Sequence, residues 1–156
     1  MREEVTALLE NRNELLTITY FKIQELFDKK YGENALVLME IGTFFEVYEV
    51  NNEKEKIGKA KEIAELLNIQ LTRKNKSILE NSKENPIMAG VPAISFEKHL
   101  ARIIAEQKYT IAIIRQKGTP PNVSRYLDVV VSPGTNFDFV VEQDDNFITS
   151  IVIDQI

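Results

Sequence analysis

The chain has 156 residues, 44% of them hydrophobic and 28% charged, with 24 acidic against 19 basic side chains and a formal net charge of -5. That composition suits one folded domain with a sizeable core and a little more, and it excludes a disordered, collagen-like or coiled-coil chain. The chain has no cysteine, which excludes disulfides, thiolate zinc sites and a cysteine nucleophile and agrees with a cytoplasmic home. Its start, Met1-Arg2-Glu3-Glu4, is charged, and nowhere does a run of about 18 apolar residues occur, so neither a signal peptide nor a membrane partner is expected.

In chain order, Leu15, Leu16, Tyr20, Ile23, Leu26 and Phe27 recur at three- and four-residue spacing and predict an amphipathic helix over 14–30, ending near Gly32. Val5, Leu8 and Leu9 upstream either extend that helix or form a frayed arm. Residues 36–48 read as two short strands or one bent strand, because Gly42 interrupts the β pattern and permits a bulge or tight turn. After a polar loop, Ile57, Ala60, Ile63, Ala64 and Leu67 share one helical face and predict a helix over 57–67. A short strand follows over 69–72, and 73–85 has the composition of an exposed hairpin loop or a mobile segment. The proline-bracketed run 86–92 suits a strand end or a loop pressed against something. Ser95 is a fair N-cap, with Glu97 in the first turn of a helix that buries Leu100, Ile103 and Ile104. Strands are predicted over 109–114 and 126–131, separated by the loop Gly118-Thr119-Pro120-Pro121-Asn122.

Strands alternating with helices predict an α/β fold, a mixed β-sheet flanked by helices, over residues 1–135. Ser132-Pro133-Gly134-Thr135 is turn chemistry, and 137–141 and 147–153 read as a hairpin too small to fold alone. Residues 136–156 are therefore expected to open a second domain, truncated in this chain.

The residues with the most chemical content are Phe44-Phe45-Glu46. Side chains alternate along a strand, so Phe44 and Glu46 share one face while Phe45 turns to the other and joins the core. A ring can wedge between stacked bases and kink a duplex, and a carboxyl group beside it can test the edge of the base so exposed. An aromatic next to an acid is also common at half-buried strand ends with no such role. Catalysis has little to work with. His99 is the only histidine, Glu106 and Lys108 lack the acidic partner of a metal-dependent nuclease, and no glycine-rich phosphate loop or Gly-x-Ser-x-Gly occurs. The net charge argues against a chain that wraps nucleic acid in positive charge. Yet Arg73, Lys74, Lys76, Lys83, Lys98, Arg102, Lys108, Arg115, Lys117 and Arg125 outnumber the acids between Leu71 and Arg125, so a modest phosphate-facing patch and a solvated mixed surface both remain open.

Four segments together carry more than any one of them. Gly42-Thr43-Phe44-Phe45-Glu46 resembles the Gly-Asp-Phe-Tyr-Glu strand of the amino-terminal mismatch-recognition domain of the MutS family of DNA mismatch repair proteins. Ala64-Glu65-Leu66-Leu67-Asn68-Ile69-Gln70-Leu71-Thr72-Arg73-Lys74 is similar to that family's Leu-Leu-x-Ile-x-Leu-Thr-Lys-Arg segment. Pro86-Ile87-Met88-Ala89-Gly90-Val91-Pro92 resembles Pro-x-Met-Ala-Gly-Ile-Pro, and Val131-Ser132-Pro133-Gly134-Thr135 resembles Val-Thr-Pro-Gly-Thr. The four occur in the family's order over about residues 20–135, where its connector domain would then begin.

The resemblance implies double-stranded DNA with mismatches or small loops as the partner. Phe44 would stack on a mispaired or unpaired base from the minor groove, and Glu46 would hydrogen-bond to it, either accepting a base N–H or, if protonated, donating to a base nitrogen. Backbone contacts would come from Thr43, Arg73, Lys74, Lys76, Met88 and Gly90. It implies no cofactor and no enzymatic activity for this chain, with ATP and Mg binding and homodimer formation belonging to later domains, and a cytoplasmic, nucleoid-associated location. Thr43 stands where the family usually has Asp, Ala93-Ile94-Ser95 replaces its aromatic-histidine stretch, and Arg115 stands where Glu is usual. These departures imply a divergent branch. Branched or recombination DNA intermediates, or a protein-docking role without DNA binding, are the alternative readings.

Overall fold

A computed structural model describes residues 1–133 and the backbone of Phe139–Val140. The elements in order are α1 (Arg2–Leu9), α2 (Leu16–Tyr31), β1 (Ala35–Ile41), β2 (Phe44–Asn51), β3 (Lys56–Gly58), α3 (Ala60–Leu67), β4 (Thr72–Arg73), β5 (Ile87–Pro92), a 3-10 turn (Ala93–Ser95), α4 (Phe96–Ile104), β6 (Thr110–Lys117), β7 (Ser124–Val131) and β8 (Phe139–Val140). The strands form one eight-stranded sheet in the order β4-β5-β2-β1-β6-β7-β8, with β3 pairing β2 off that path. Among the described residues only β1 and β6 run parallel, and every other pairing is antiparallel. The sheet is thus mixed and the fold α/β, as the alternation of elements predicts.

The period-2 alternation of the strands divides the core into two layers. On one face Leu36, Leu38, Phe45, Val47, Ala89, Val91, Ile111 and Ile113 meet α3 and α4 through Ile63, Phe96, Leu100 and Ile103. On the other, Val37, Met39, Tyr48, Val50, Ala112 and Ile114 meet α2 through Tyr20, Phe21, Ile23 and Phe27, with Val5 of α1 at the margin. The parallel pairing requires a long crossover between β1 and β6, and α3 and α4 lie within it.

Several elements depart from expectation for identifiable reasons. Residues 2–9 form a separate helix, held across β7 by the Arg2 guanidinium, which donates to the Leu127 carbonyl. Ile57 belongs to β3 and not to the helix that follows it: Lys56, Ile57 and Gly58 pair with Asn51, Val50 and Glu49, and that ladder overrides the helical spacing. The short strand sits at Thr72–Arg73. The loop after it winds around Asn85, only 3% exposed, whose side chain accepts from the Asn75 N–H at 2.7 Å and donates to the carbonyls of Ile78 and Glu80 at 3.1 and 3.0 Å. Run 86–92 is an internal strand, β5, paired on both sides. The hairpin expected over 137–153 lies outside the described residues, apart from the backbone of Phe139–Val140, which pairs with Val131 and Val130.

The β1–β2 hairpin closes in a tight turn at Gly42-Thr43. Gly42 has φ +64 and Thr43 does not share a positive φ, the pattern of a type II′ turn, which fits the right-handed twist of the flanking strands. The two strands pair only over Met39–Ile41 and Phe44–Glu46. Beyond that they diverge, and α2 fills the gap with polar groups. Tyr20 Oη donates to the Val37 carbonyl at 2.6 Å and accepts from the Tyr48 N–H at 3.3 Å, while Gln24 bonds Ala35 and Val37. Buried backbone groups that lose a ladder partner need another, and these side chains supply it.

Candidate functional site

β2 carries Phe44, Glu46 and Tyr48 on the α2 side of the sheet, and β5 brings Pro92, Gly90 and Met88 opposite them in register. α2 covers only the lower part of this face. Tyr48 is fully buried against Tyr20, with ring centroids 4.8 Å apart and near-perpendicular planes, whereas Phe44, at the end of the strand beyond the helix, is 43% exposed. Phe45 points the other way and is 2% exposed, stacked on Phe96 with centroids 3.7 Å apart and planes 14° from parallel. The expected split of Phe44 and Phe45 between opposite faces is therefore what the structure has.

The tip is held from three directions. The Thr43 carbonyl accepts from the Ala93 N–H at 2.8 Å, so the hairpin turn is tied to the 3-10 turn after β5. Gln116 of β6 both accepts from the Gly42 N–H at 3.2 Å and donates to the Gly42 carbonyl at 2.6 Å. Arg125 of β7 donates to the Glu40 carbonyl at 2.9 Å. Gly90 leaves room beneath the exposed ring: a Cβ there would stand 3.6 Å from both Phe44 Cδ2 and Glu46 Cγ and 3.3 Å from the Phe45 carbonyl oxygen.

Glu46 is 9% exposed and sits in a small polar constellation. Its Oε1 accepts from Tyr48 Oη at 2.5 Å and from Lys74 Nζ at 3.0 Å, and Lys74 Nζ also reaches Tyr48 Oη at 3.2 Å and lies over the Tyr48 ring. Burial first, and the Glu46 charge second, push the Tyr48 phenol well above its ordinary range, so Tyr48 stays protonated and serves as a donor. Oε2 accepts no hydrogen bond among the described residues and is not among the buried polar atoms left without a partner, so it keeps a face toward solvent.

The remaining sequence-derived candidates divide. Thr43 is exposed at the turn, and Lys76 is exposed in the loop after β4. Lys74 is engaged with Glu46, and Met88 is half-buried against the α2 layer. Arg73 is half-buried, donates to the Lys76 carbonyl at 3.3 Å, and has a buried Nε without a partner.

The basic middle of the chain is extensively paired. Lys83 meets Glu25 and Glu55, Arg102 meets Glu106, Lys108 meets Glu62, and Arg115 meets Asp128 at 2.8 Å while lying over the rings of Phe45 and Phe96. Sequence reasoning missed these partners because most lie far along the chain. The Lys74–Glu46 pair joins two residues each singled out for DNA contact, from opposite sides of β5. Among the described residues no group of three or more His, Asp or Glu is placed to hold a metal ion, and no helix is long and apolar enough to cross a membrane.

The α/β domain thus presents one aromatic ring on a braced hairpin tip, beside a half-shielded carboxylate. Residues 20–140 match the family described as MutS domain I, and the chain belongs to that family. It is 31% identical over 147 residues to a DNA mismatch repair protein mutS homolog of Acanthamoeba polyphaga mimivirus, covering 94% of this chain and 13% of that protein. It is 29% identical over 135 residues to the DNA mismatch repair proteins MutS of Lactococcus lactis subsp. lactis (strain IL1403) and subsp. cremoris (strain MG1363), covering 83% of this chain and 14% of each. The chain thus spans about one seventh of the length of these curated relatives.

Proposed function

We propose that this chain is the DNA-probing domain of a mismatch repair protein, in which Phe44 stacks on a mispaired or unpaired base from the minor groove and Glu46 hydrogen-bonds to that base. The observation that carries the reading is the exposed Phe44 ring on a tip fixed by Thr43, Gly42 and Gln116, next to Glu46 Oε2. Membership of the MutS domain I family and relatives that bear the name of DNA mismatch repair proteins support it. A well-stacked duplex resists a wedge, whereas a mismatch lowers the cost of unstacking and bending, so a rigid ring can discriminate without reading sequence. ATP hydrolysis, its Mg ion and homodimer formation are assigned to parts of such proteins other than this domain, and the working compartment is the cytoplasm. This domain then acts by binding alone.

The test is fluorescence anisotropy with homoduplex, G·T mismatch, single-base insertion and four-way-junction DNA, using the chain with and without Phe44→Ala and Glu46→Ala. Tighter binding to the mismatch and the insertion, lost with the ring, supports the reading. A junction preference indifferent to Phe44 would point to branched DNA. No DNA binding would favour a protein-docking role, to which the net charge of -5 and the internally paired basic residues are suited.

A further inference from the structure

Lys74 follows β4, and its backbone N–H donates to the Pro86 carbonyl at 3.0 Å, so its Cα sits toward the end of β5 remote from Phe44. Its side chain nevertheless runs back along the sheet to Glu46 and Tyr48. Of the three hydrogens on its ammonium, two are directed to Glu46 Oε1 and Tyr48 Oη. That is an unusual use of a surface lysine, because its side chain is 36% exposed and could stay in water. Lys76, two residues on, takes part in no ion pair among the described residues and is exposed. The two lysines therefore do different work.

We propose that Lys74 is a positioning and specificity-determining residue for Glu46: with Tyr48 it occupies Oε1, turns Oε2 toward the ligand, and restricts the carboxylate to accepting a hydrogen bond, so that unstacked bases offering an N–H donor are selected. This rests on the reading of Glu46 as the base sensor. An ion-paired carboxylate has acceptors and no donor. In the minor groove of a paired duplex an A·T pair presents acceptors alone, and the guanine 2-amino group is the one donor. Paired DNA thus mostly opposes Oε2 with lone pairs. An unstacked thymine exposes its N3–H, and an unstacked guanine its N1–H and amine, which Oε2 can accept. Lys74 also offsets the carboxylate charge that phosphates would otherwise repel. Gly90 leaves the surface between Phe44 and Glu46 clear, since a Cβ there would stand in van der Waals contact with both side chains.

The experiment compares the full chain and its Lys74→Met, Lys74→Arg, Tyr48→Phe, Glu46→Ala and Phe44→Ala variants by anisotropy on three duplexes: fully paired, with one unpaired thymine, and with one unpaired N3-methylthymine, which lacks the donor. The expected result is that the parent chain prefers thymine over N3-methylthymine by about tenfold, the scale of one hydrogen bond to a charged group. Lys74→Met and Glu46→Ala each bring that ratio close to one, Lys74→Arg keeps most of it, and Tyr48→Phe lowers it partway. In a Glu46→Ala background, Lys74→Met has no further effect on the ratio. A uniform loss of affinity for all three duplexes in Lys74→Met would make Lys74 a plain phosphate contact and overturn the proposal, as would an unchanged ratio. If Phe44→Ala abolishes the preference for an unpaired base while Lys74→Met leaves the thymine ratio intact, only the role of Lys74 falls. If the parent chain shows no preference for an unpaired base, the DNA-probing reading falls with it.

Discussion

Phe44 and Phe45 are adjacent and chemically identical, yet the two sides of the sheet treat them as opposites. On the α3/α4 side, α4 starts at Phe96, level with the hairpin tip, and its first residue stacks on Phe45 while Arg115 closes the edge of both rings. On the α2 side, cover from Tyr20 and Phe21 reaches Tyr48 and stops short of Phe44. The difference lies in how far each helix layer extends over the strand end and not in the strand. One side is built to its margin, and the other is left open for one strand pair.

The largest effect should come from breaking the closed side. Phe45→Ala removes a buried ring from a stacked pair and is expected to cost about 3–5 kcal/mol of folding free energy, measured by urea unfolding. Phe44→Ala at the open side should cost far less, within about 1 kcal/mol, because nearly half of the ring is already in water. Equal losses would remove the distinction between the two faces. A smaller effect is expected from Gly90→Ala. Its Cβ requires the Phe45 carbonyl oxygen to yield by a few tenths of an ångström and touches the Phe44 and Glu46 side chains, so stability should change by about 1 kcal/mol or less while the preference for mismatched over paired DNA drops. Unchanged discrimination would mean that the space under Phe44 is not used.

The smallest effect concerns the closed side and pH. His99 lines a small apolar cavity with Leu67, Ile69, Phe96 and Ile103, and burial, followed by the charge of Lys98, lowers its pKa below 6.5. A lowered pKa in the folded state means that the unfolded chain binds the proton more readily. The stabilisation from neutral His99 is then full above the unfolded value and is lost as pH falls through the folded one. His99→Gln should flatten the dependence of the urea midpoint on pH between about pH 5 and 7. A slope equal to that of the parent chain would assign it to other groups.

How much of this was readable from the sequence depended on the range of the interaction involved. The opposite orientations of Phe44 and Phe45 follow from alternation along a single strand, and the amphipathic stripe of α2 follows from spacing within a single helix. Ile57 was misplaced because its spacing to Ala60 and Ala64 satisfies a helix, whereas its pairing with Val50 was decided across a turn. The loop around Asn85 looked unstructured by composition because the hydrogen bonds that organise it belong to one buried amide. The basic stretch looked like a patch because the acids that pair it come from α2, β2, α3 and β7, from the loop before β3 and from the turn after α4. Lys74 reaches Glu46 across 28 positions and two strands, a contact that no local pattern encodes.

The parallel pairing of β1 with β6 has a temporal side. Ala35 pairs with Thr110, 75 positions later, and the apolar run Leu36, Val37, Leu38 and Met39 finds its partners in Ile111 to Ile114. At a synthesis rate of roughly 5–20 residues per second, the hairpin bearing Phe44 waits about 4–15 s for that strand. During that interval β1 is an open apolar edge, and Gln116 and Arg125, which brace the tip, have not yet been made. The Phe44 tip is thus synthesised well before the residues that make it rigid.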